Sequence, residues 1–395
     1  MPVRRTHTVG SPYALAALLA LAACGGAGSP SPGGPSAGGV AAAGAAGPAG
    51  DEAGPQPPAS PPRDGPVLQG NRFSYCDPAA AIAAYPRFTG VPEVVARLYP
   101  SGGARDYPIL DVHTHLGSTT AAEADIARRV GLHAAVDASW DAVSTARLRA
   151  TYPPTYLVQF NLGEYLVGFS EEKLPAILAH FDEQRAAGAG GVKLFKALGL
   201  EIDDASGVRL RLDDPRLAPL WDRAARERWT VSLHTSDPSS WLKDKYPTSP
   251  YSKQDLVQQF IRVVERHPQT VFVAIHLLNL IDAEEELDQL GEYLDRYPNL
   301  YADVAARSQY LALRDQKHVR AFMLAHQDKL LFATDRNDEA DPVTSYEEEL
   351  RYWETSQTSR TYYLNQRLPG LALPPAVLEK LYYQNALRAF CGHLG

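Results

Sequence analysis

The chain has 395 residues, of which 45% are hydrophobic and 21% charged, and its formal net charge is −8 at pH 7. This length is enough for one large domain or two. An acidic chain without basic runs is a poor match for nucleic acid, so we exclude that class of partner.

The N-terminus has the features of a secretion signal. Arg4 and Arg5 precede an apolar run over Tyr13–Leu21, which is too short to cross a hydrocarbon core of ~30 Å as a permanent helix. The segment Leu21-Ala22-Ala23-Cys24-Gly25 resembles the bacterial lipobox. That resemblance implies that Cys24 is lipidated and anchors the protein in the bacterial cell envelope, at the outer membrane, its periplasmic side or the cell surface. The alternative is an ordinary secretory signal with an accidental cysteine.

The composition of the chain predicts four segments. We predict a lipoprotein signal peptide over 1–23 and a disordered N-terminal tether over 24–66, because Ala, Gly, Pro and Ser alone cannot form a core. An N-terminal extension over 67–104 is expected to pack on a catalytic domain over 105–395. Removal of the signal makes the net charge more negative, since that segment holds two arginines and no acid.

Besides Cys24, the chain contains only Cys76 and Cys391. An oxidising compartment permits a disulfide between these two, if the extension and the last helix meet where the domain closes. The alternative is an exposed Cys76 and a small buried Cys391.

From residue 107 onward, short apolar runs alternate with longer amphipathic stretches, the pattern of repeated βα units. Such units predict an α/β fold whose eight strands close into a (β/α)8 TIM barrel. An open doubly wound sheet is the rival, but it would need a Gly-rich turn after its first strand, and His113-Thr114-His115-Leu116-Gly117 is not one. The predicted strands are Ile109–His115, His133–Ser139, Thr155–Asn161, Gly191–Ala197, Thr230–Thr235, Thr270–His276, Leu300–Ala305 and Lys329–Thr334. The predicted helices include Glu171–Ala187, Pro215–Arg228, Lys253–Arg266, Ala283–Tyr297 and His318–His326.

The segment from Asp341 to Pro375 does not continue the alternation of strands and helices. A final helix is predicted over Pro375–Phe390. The segment follows the eighth strand and is rich in aromatic residues, so it is either a lid over the catalytic face or a layer packed on the outer helices.

Side chains of the types that bind metals lie at the carboxyl ends of four of the predicted strands. They are His113 and His115 on the first, His234 on the fifth, His276 on the sixth and Asp335 on the eighth. The carboxyl ends of barrel strands form the active site, and residues two apart on a strand face the same side. We therefore predict a divalent metal site with a position open to water or substrate.

These residues lie in motifs that resemble the amidohydrolase superfamily. The motifs are Asp111-Val112-His113-Thr114-His115, Leu233-His234-Thr235, Ala274-Ile275-His276-Leu277, Phe332-Ala333-Thr334-Asp335 and the closing helix Tyr383-Gln384-Asn385-Ala386-Leu387-Arg388-Ala389-Phe390. Together they are similar to the amidohydrolase-related branch (amidohydrolase 2), which contains hydrolases and decarboxylases.

The resemblance implies a role for each residue of the site. His113, His115, His234 and Asp335 would hold one divalent ion, most simply Zn²⁺. Asp335 would also take a proton from water, and His276 would act beside the metal as an acid or base.

Two lysines lie on the fourth predicted strand. Lys193 resembles the lysine that is carbamylated and bridges two metals in binuclear members, so a second metal stays an alternative. Otherwise Lys193 or Lys196 would bind a substrate carboxylate as a point charge. Arg307, after the seventh strand, and Asp237, after the fifth, line the barrel mouth or form structural ion pairs.

The sequence therefore predicts a metal-dependent hydrolase that cleaves an amide, ester or lactone of a small molecule with metal-activated water. One alternative is a non-oxidative decarboxylase in the same site, and another is a non-catalytic lipoprotein that only binds a ligand. The oligomeric state stays open.

Overall fold

The computed structural model describes residues 91–102, 109–116, 120–138, 156–336, 341–360 and 367–391. The predicted signal, tether and most of the extension lie outside the described residues, as do Cys24 and Cys76, and these assignments stay predictions.

Eight parallel strands form one sheet in which each strand pairs with the next in chain order. The chain after the last strand returns to the first: the Val112 N–H donates to the Phe332 carbonyl, and the Asp335 N–H donates to the His113 carbonyl. The predicted (β/α)8 barrel is confirmed. Its strands are β1 Leu110–Thr114, β2 Ala134–Ala138, β3 Tyr156–Asn161, β4 Gly191–Leu194, β5 Thr230–Leu233, β6 Val271–Ala274, β7 Leu300–Asp303 and β8 Leu330–Leu331.

Helices separate the strands and cover the outside of the sheet. In chain order they are α1 Glu93–Leu98, α2 Thr120–Val130, α3 Leu174–Ala187, α4 Ala197–Leu200, α5 Ala218–Glu227, α6 Ser239–Lys245, α7 Lys253–Arg266, α8 Glu284–Arg296, α9 Ser308–Leu311, α10 Gln316–Ala325, α11 Pro342–Glu354, α12 Pro375–Glu379 and α13 Asn385–Cys391. A π-helical turn over Lys380–Gln384 joins the last two. A hairpin of β9 Thr358–Arg360 and β10 Arg367–Pro369 follows α11.

Local sequence explains why the long helices form where they do. A capping box between Ser252 and Asp255 starts α7, which buries Leu256, Phe260 and Val264 on one face. The helix thereby satisfies its first N–H groups and covers the sheet. It spans the residues predicted for it.

Two apolar layers hold the barrel together. The larger packs the helices on the outer face of the sheet. The smaller holds Val112, Val273 and Leu331, which face the barrel interior, together with Ala386 and Phe390 of α13. The C-terminal helix is also tied to β5, because the Thr230 hydroxyl donates to the Ala389 carbonyl. That contact lies at the start of β5, so the opposite end of the barrel stays available for a site.

The aromatic segment after β8 belongs to the packed outer layer. Tyr346, Tyr352 and Trp353 of α11 are buried in the outer core, as the second of the two alternatives requires. Tyr362 and Tyr363 lie outside the described residues.

Most strands end earlier than predicted at their carboxyl ends, where functional residues begin, whereas β3 ends at Asn161 as predicted. β6 ends at Ala274 because His276 has a φ of +59° and leaves the extended conformation. Within the described part of the chain, no helix combines the length and apolar character needed to cross a membrane.

Candidate metal centre

The candidate site lies at the carboxyl end of the barrel. His113 is in β1 and His115 follows it, while His234, His276 and Asp335 follow β5, β6 and β8. Parallel strands bring all these positions to one end of the barrel. The sheet register shifts between Asp111 and Thr114, and such an irregularity re-aims the side chains around it. His113 accordingly contacts Asp303 of β7 across the interior.

Asp335 is the point on which the imidazoles converge. Its Oδ1 lies 3.2 Å from Nε2 of His113 and 3.3 Å from Nε2 of His115, and its Oδ2 lies 3.7 Å from Nε2 of His276. One donor atom each from His113, His276 and Asp335 falls within 4.8 Å of the others, as a metal ion requires. The ring centre of His234 is 4.6 Å from that of His276.

The three residues whose donor atoms lie closest together are not the same set as the predicted ligands. The compact set contains His276, which the family resemblance places beside the metal, and leaves out His115 and His234. The structure therefore brings all five predicted residues together, while their division into ligands and acid or base stays a prediction.

The rings of three histidines are oriented by hydrogen-bond partners at Nδ1. His115 lies 2.9 Å from the Ala138 carbonyl and His276 lies 2.7 Å from the Ala305 carbonyl. A carbonyl only accepts, so these Nδ1 atoms carry the hydrogen and each neutral Nε2 keeps its lone pair. His113 Nδ1 instead meets the Asp303 carboxylate at 3.2 Å. Such partners fix the tautomer that binds a metal.

Burial keeps the rings of His115, His234 and His276 neutral. It lowers the pKa of His115 and of His234 to about 4 each, and lowers the pKa of His276 well below its ordinary value. Only the neutral imidazole binds a metal, so the environment favours the binding form at neutral pH. Burial opposes ionisation of Asp335, but the neighbouring imidazoles hold its pKa well below its usual range.

His234 provides the test of whether the site fits an ion. Its Nε2 is buried and has no hydrogen-bond partner among the described residues. The nearest carboxylate oxygen, of Asp237, is 3.7 Å away. A buried ring nitrogen is costly to leave unpaired. His234 adjoins His276 of the compact donor set, so an ion held by that set would give this atom a partner, and the residues fit one.

Lys193 lies at the centre of the barrel. Its side chain is fully buried and its Nζ is 2.7 Å from Nε2 of His113. Burial lowers the pKa of Lys193 to about 8, against the opposing charges of Asp335 and Asp303. The lysine thus borders the candidate metal site, and the carbamylation that the resemblance to binuclear members implies stays a prediction.

Lys196 is neutralised by a neighbour. Its Nζ lies 2.7 Å from Oδ2 of buried Asp237, and its ammonium is 5.6 Å from the ring of Tyr246. The structure therefore places Lys196 and Asp237 in one ion pair at the mouth.

Arg307 is buried at the mouth, and no carboxylate among the described residues forms an ion pair with it. It follows β7, is 6% exposed, and donates from Nε and Nη2 to Oδ1 of Asn279. Its charge contributes to the lowered pKa of His276, which places the guanidinium in the field of the site.

Three residues around the site were not predicted from the sequence. Asp303 was visible as the one acid in the apolar run Leu300–Asp303. Asn279 carried no signal, because its role depends on an unusual backbone. Asp111 stood in the first motif without a role. Its carboxylate accepts from the His113 N–H, from both the N–H and the hydroxyl of Thr334, and from the Tyr346 hydroxyl. It thus ties β1, the β8 end and α11 together behind the histidines.

The backbone around the site is unusual. His276, Leu277, Leu278 and Asn279 all have φ between +53° and +59°, and Ala306 and Asp335 also have positive φ. Each left-handed residue that is not glycine costs roughly 1–2 kcal/mol. Strain of this kind concentrates at functional sites, where the surrounding packing maintains it.

Comparison with known proteins identifies a family. The model of a family described as Amidohydrolase matches residues 120–391, a span that begins just after the histidines of β1. No curated protein matches the chain.

Solved structures match the chain at low identity. An uncharacterised TIM-barrel protein from Bordetella bronchiseptica is 17% identical with a TM-score of 0.49, and the match covers 72% of this chain and all of that one. A dihydroxybenzoic acid decarboxylase from a Polaromonas species, with bound manganese and an inhibitor, is 12% identical with a TM-score of 0.49, over 73% and 98% of the two chains. A probable 2-pyrone-4,6-dicarboxylic acid hydrolase from Acinetobacter baumannii is 12% identical with a TM-score of 0.47, over 71% and 98%.

Proposed function

Since the chain belongs to the amidohydrolase family matched over residues 120–391, whose members are metal-dependent enzymes, we propose that it hydrolyses a C–N or C–O bond of a small molecule. The bond would be that of an amide, ester or lactone. We further propose one Zn²⁺ as the ion, because imidazole and carboxylate ligands suit zinc. Membership of an enzyme family sets aside the interpretation as a non-catalytic lipoprotein.

The observation that carries this proposal is the convergence on Asp335. His113, His115 and His276 direct Nε2 toward its carboxylate, with the separations of 3.2, 3.3 and 3.7 Å given above. His234 adds a buried Nε2 without a partner among the described residues. We propose His113, His115, His234 and Asp335 as the ligands.

A divalent ion held there would act as a Lewis acid and lower the pKa of water to near 7. The residues of the chain then have separate tasks. Oδ1 of Asp335 faces His113 and His115, which leaves Oδ2 to take a proton from the attacking water. His276 holds its Nε2 lone pair 3.7 Å from that oxygen and can carry the proton onward.

The alternative to a site with one metal ion is a site with two ions bridged by carbamylated Lys193. Its amine lies beside His113 rather than in solvent, so a carbamylated lysine and a second metal would occupy this same place. Elemental analysis separates the two cases, because one ion per chain supports the mononuclear site and two support the bridged one.

Turnover by the zinc-loaded protein on a panel of lactones, amides, esters and aromatic acids tests the reaction. We expect release of the acid with its alcohol or amine, and loss of turnover in Asp335→Asn. Asp295→Asn is the matched control, because Asp295 pairs with His326 at the surface. Release of carbon dioxide without hydrolysis would replace the proposal with the decarboxylase alternative.

We also propose that the protein is anchored in the bacterial cell envelope through lipidated Cys24, which lies outside the described residues. Support comes from the lipobox-like segment that ends at Cys24-Gly25. Fractionation of cells that express Cys24→Ser tests it. Loss from the membrane fraction supports the anchor, and unchanged membrane partitioning overturns it.

A further inference from the structure

Asp237 and Lys196 form an ion pair beside the candidate metal centre. They follow β5 and β4, which are neighbours in the sheet, with Leu233 paired to Leu194 in register. Because parallel strands of a barrel end on the same side, both residues reach the carboxyl end. Nζ of Lys196 lies 2.7 Å from Oδ2 of Asp237. Of the described residues, no other carboxylate comes within ion-pair distance of Lys196.

The loop that carries Asp237 is held on both sides of the residue. Pro238 follows directly as the N-cap of α6, and the proline ring fixes the backbone angle φ there. Before Asp237, the carbonyl of Ser236 accepts a hydrogen bond from the side-chain amide of Asn279. Asp237 itself is only 2% exposed. Its carboxylate therefore changes position by rotation of the side chain rather than by movement of the loop.

The second oxygen of Asp237 faces a proposed metal ligand. Oδ1 lies 3.7 Å from Nε2 of His234, the same separation as between Oδ2 of Asp335 and Nε2 of His276. Two donor atoms on one tetrahedral zinc ion are about 3.3 Å apart, since each bond is about 2.0–2.1 Å long. A small rotation of the Asp237 carboxylate would thus let it share an ion with His234.

Coordination by Asp237 would close the metal site. Catalytic zinc sites keep a position open for water or substrate, whereas structural sites are closed by protein ligands. One more carboxylate ligand would fill that position. Asp237 lies outside the compact donor set that includes Asp335, and its Oδ2 accepts from Lys196.

We propose that Lys196 is a positioning residue that holds Asp237 away from the metal ion and so keeps a coordination position open. The proposal rests on the metal-dependent function proposed above, because it assigns a role to two residues of the same site. Without Lys196, the buried carboxylate would lack its counter-ion, which is unfavourable. A divalent ion held by His234 would then compensate the charge of Asp237, and the carboxylate would coordinate that ion.

Metal binding and cobalt spectroscopy of the full-length protein test this role without relying on turnover. Lys196→Gln should bind Zn²⁺ about tenfold tighter or more in competition with a chelator, the scale on which groups around a metal site change its affinity. With Co²⁺ in place of zinc, the visible d–d absorption reports the coordination number. Lys196→Gln should show the spectrum of a site with one more ligand. Adding Asp237→Asn to this variant should restore the wild-type spectrum, because it removes the carboxylate.

Two further variants separate coordination from a change of charge. Asp237→Asn alone should keep the wild-type cobalt spectrum, because Asp237 is not a ligand while Lys196 holds it. Lys243→Gln is the matched control, because it removes an exposed positive charge of α6 at the same end of the barrel and should leave the spectrum unchanged.

An unchanged cobalt spectrum in Lys196→Gln, when the wild type binds zinc, would overturn the role of Lys196 and leave the proposed function intact. A changed spectrum that persists in the double variant would also overturn it, since the additional ligand would not be Asp237. So would a changed spectrum in Asp237→Asn alone, which decides the matter should Lys196→Gln fail to fold. A wild type that binds no zinc would contradict the proposed function and, with it, this role.

Discussion

Oδ2 of Asp303 lies 3.2 Å from Nδ1 of His113, across the barrel interior from β7 to β1. The other oxygen, Oδ1, accepts from the His276 N–H at 2.7 Å and from the Ala305 N–H at 3.2 Å. One buried carboxylate thus sets the tautomer of His113 and the position of His276.

This relationship predicts the effect of Asp303→Asn. The asparagine can keep its oxygen on the two backbone N–H groups, but its amide would present hydrogens to Nδ1 and force the hydrogen of His113 onto Nε2. We expect zinc affinity to fall by about 10–100-fold, the usual effect of losing such a partner, with little change in fold. Competition with a chromophoric chelator measures it.

Glu183→Gln provides the control, because it alters a carboxylate 2.9 Å from the His180 Nδ1 atom outside the site. If Asp303→Asn bound zinc as tightly as the control, Asp303 would have no role in orienting His113.

A second prediction concerns a buried ion pair. Arg336 donates to Glu123 at 2.6 Å, with the two side chains 3% and 0% exposed, and so joins α2 to the end of β8. Removing one partner leaves the other charge buried and uncompensated. Glu123→Gln should therefore lower the free energy of unfolding by about 3–5 kcal/mol.

Chemical denaturation measures this loss. Glu93→Gln is the comparison, because Glu93 pairs with Arg97 and Arg129 at an exposed position and should change stability little. If both substitutions changed the free energy of unfolding equally, burial would not increase the contribution of the Glu123–Arg336 pair to stability.

The third prediction concerns pH and Asp137, a buried residue near the end of β2. Burial raises the pKa of Asp137 to about 7, against a hydrogen bond from the Leu116 N–H and the charge of Arg336. Between pH 4 and 7 the unfolded chain releases this proton while the folded protein keeps it, so this group lowers stability as pH rises. Each pKa unit corresponds to about 1.4 kcal/mol, which makes the change a few kcal/mol.

Asp137→Asn removes that dependence. Denaturation of both proteins at pH 4.5 and pH 8 should show the variant gaining stability relative to the wild type at the higher pH. A constant difference between the two proteins across this range would mean that Asp137 ionises normally.

The candidate metal ligands were easier to predict from the sequence than the residues that position them. His113, His234, His276 and Asp335 were predictable because each follows a short apolar run that is typical of a buried strand. Asn279 was not predictable, because its position depends on four successive left-handed residues that no local propensity favours. The network of Asp111 was hidden for another reason: Tyr346 reaches it from α11, far along the chain.

The fourth prediction concerns the cysteines. Cys391 is disulfide-bonded, and both other cysteines lie outside the described residues. Cys76 is the predicted partner, since Cys24 would be lipidated. Such a bridge would close most of the domain and stabilise it by about 4–5 kcal/mol at most. Thiol alkylation of denatured, unreduced Cys76→Ser should label Cys391. A Cys391 that stays unlabelled in this variant would identify Cys24 as the partner and contradict both assignments.

The metal content of the purified protein tests the central claim most directly. We expect one divalent ion per chain in the wild type, held by His113, His115, His234 and Asp335 with His276 beside it. Elemental analysis after exhaustive dialysis should find that ion in the wild type and find it lost in Asp335→Asn, with the circular dichroism of the barrel unchanged. Full metal content in the Asp335→Asn variant, or full turnover by metal-free wild type, would contradict the account.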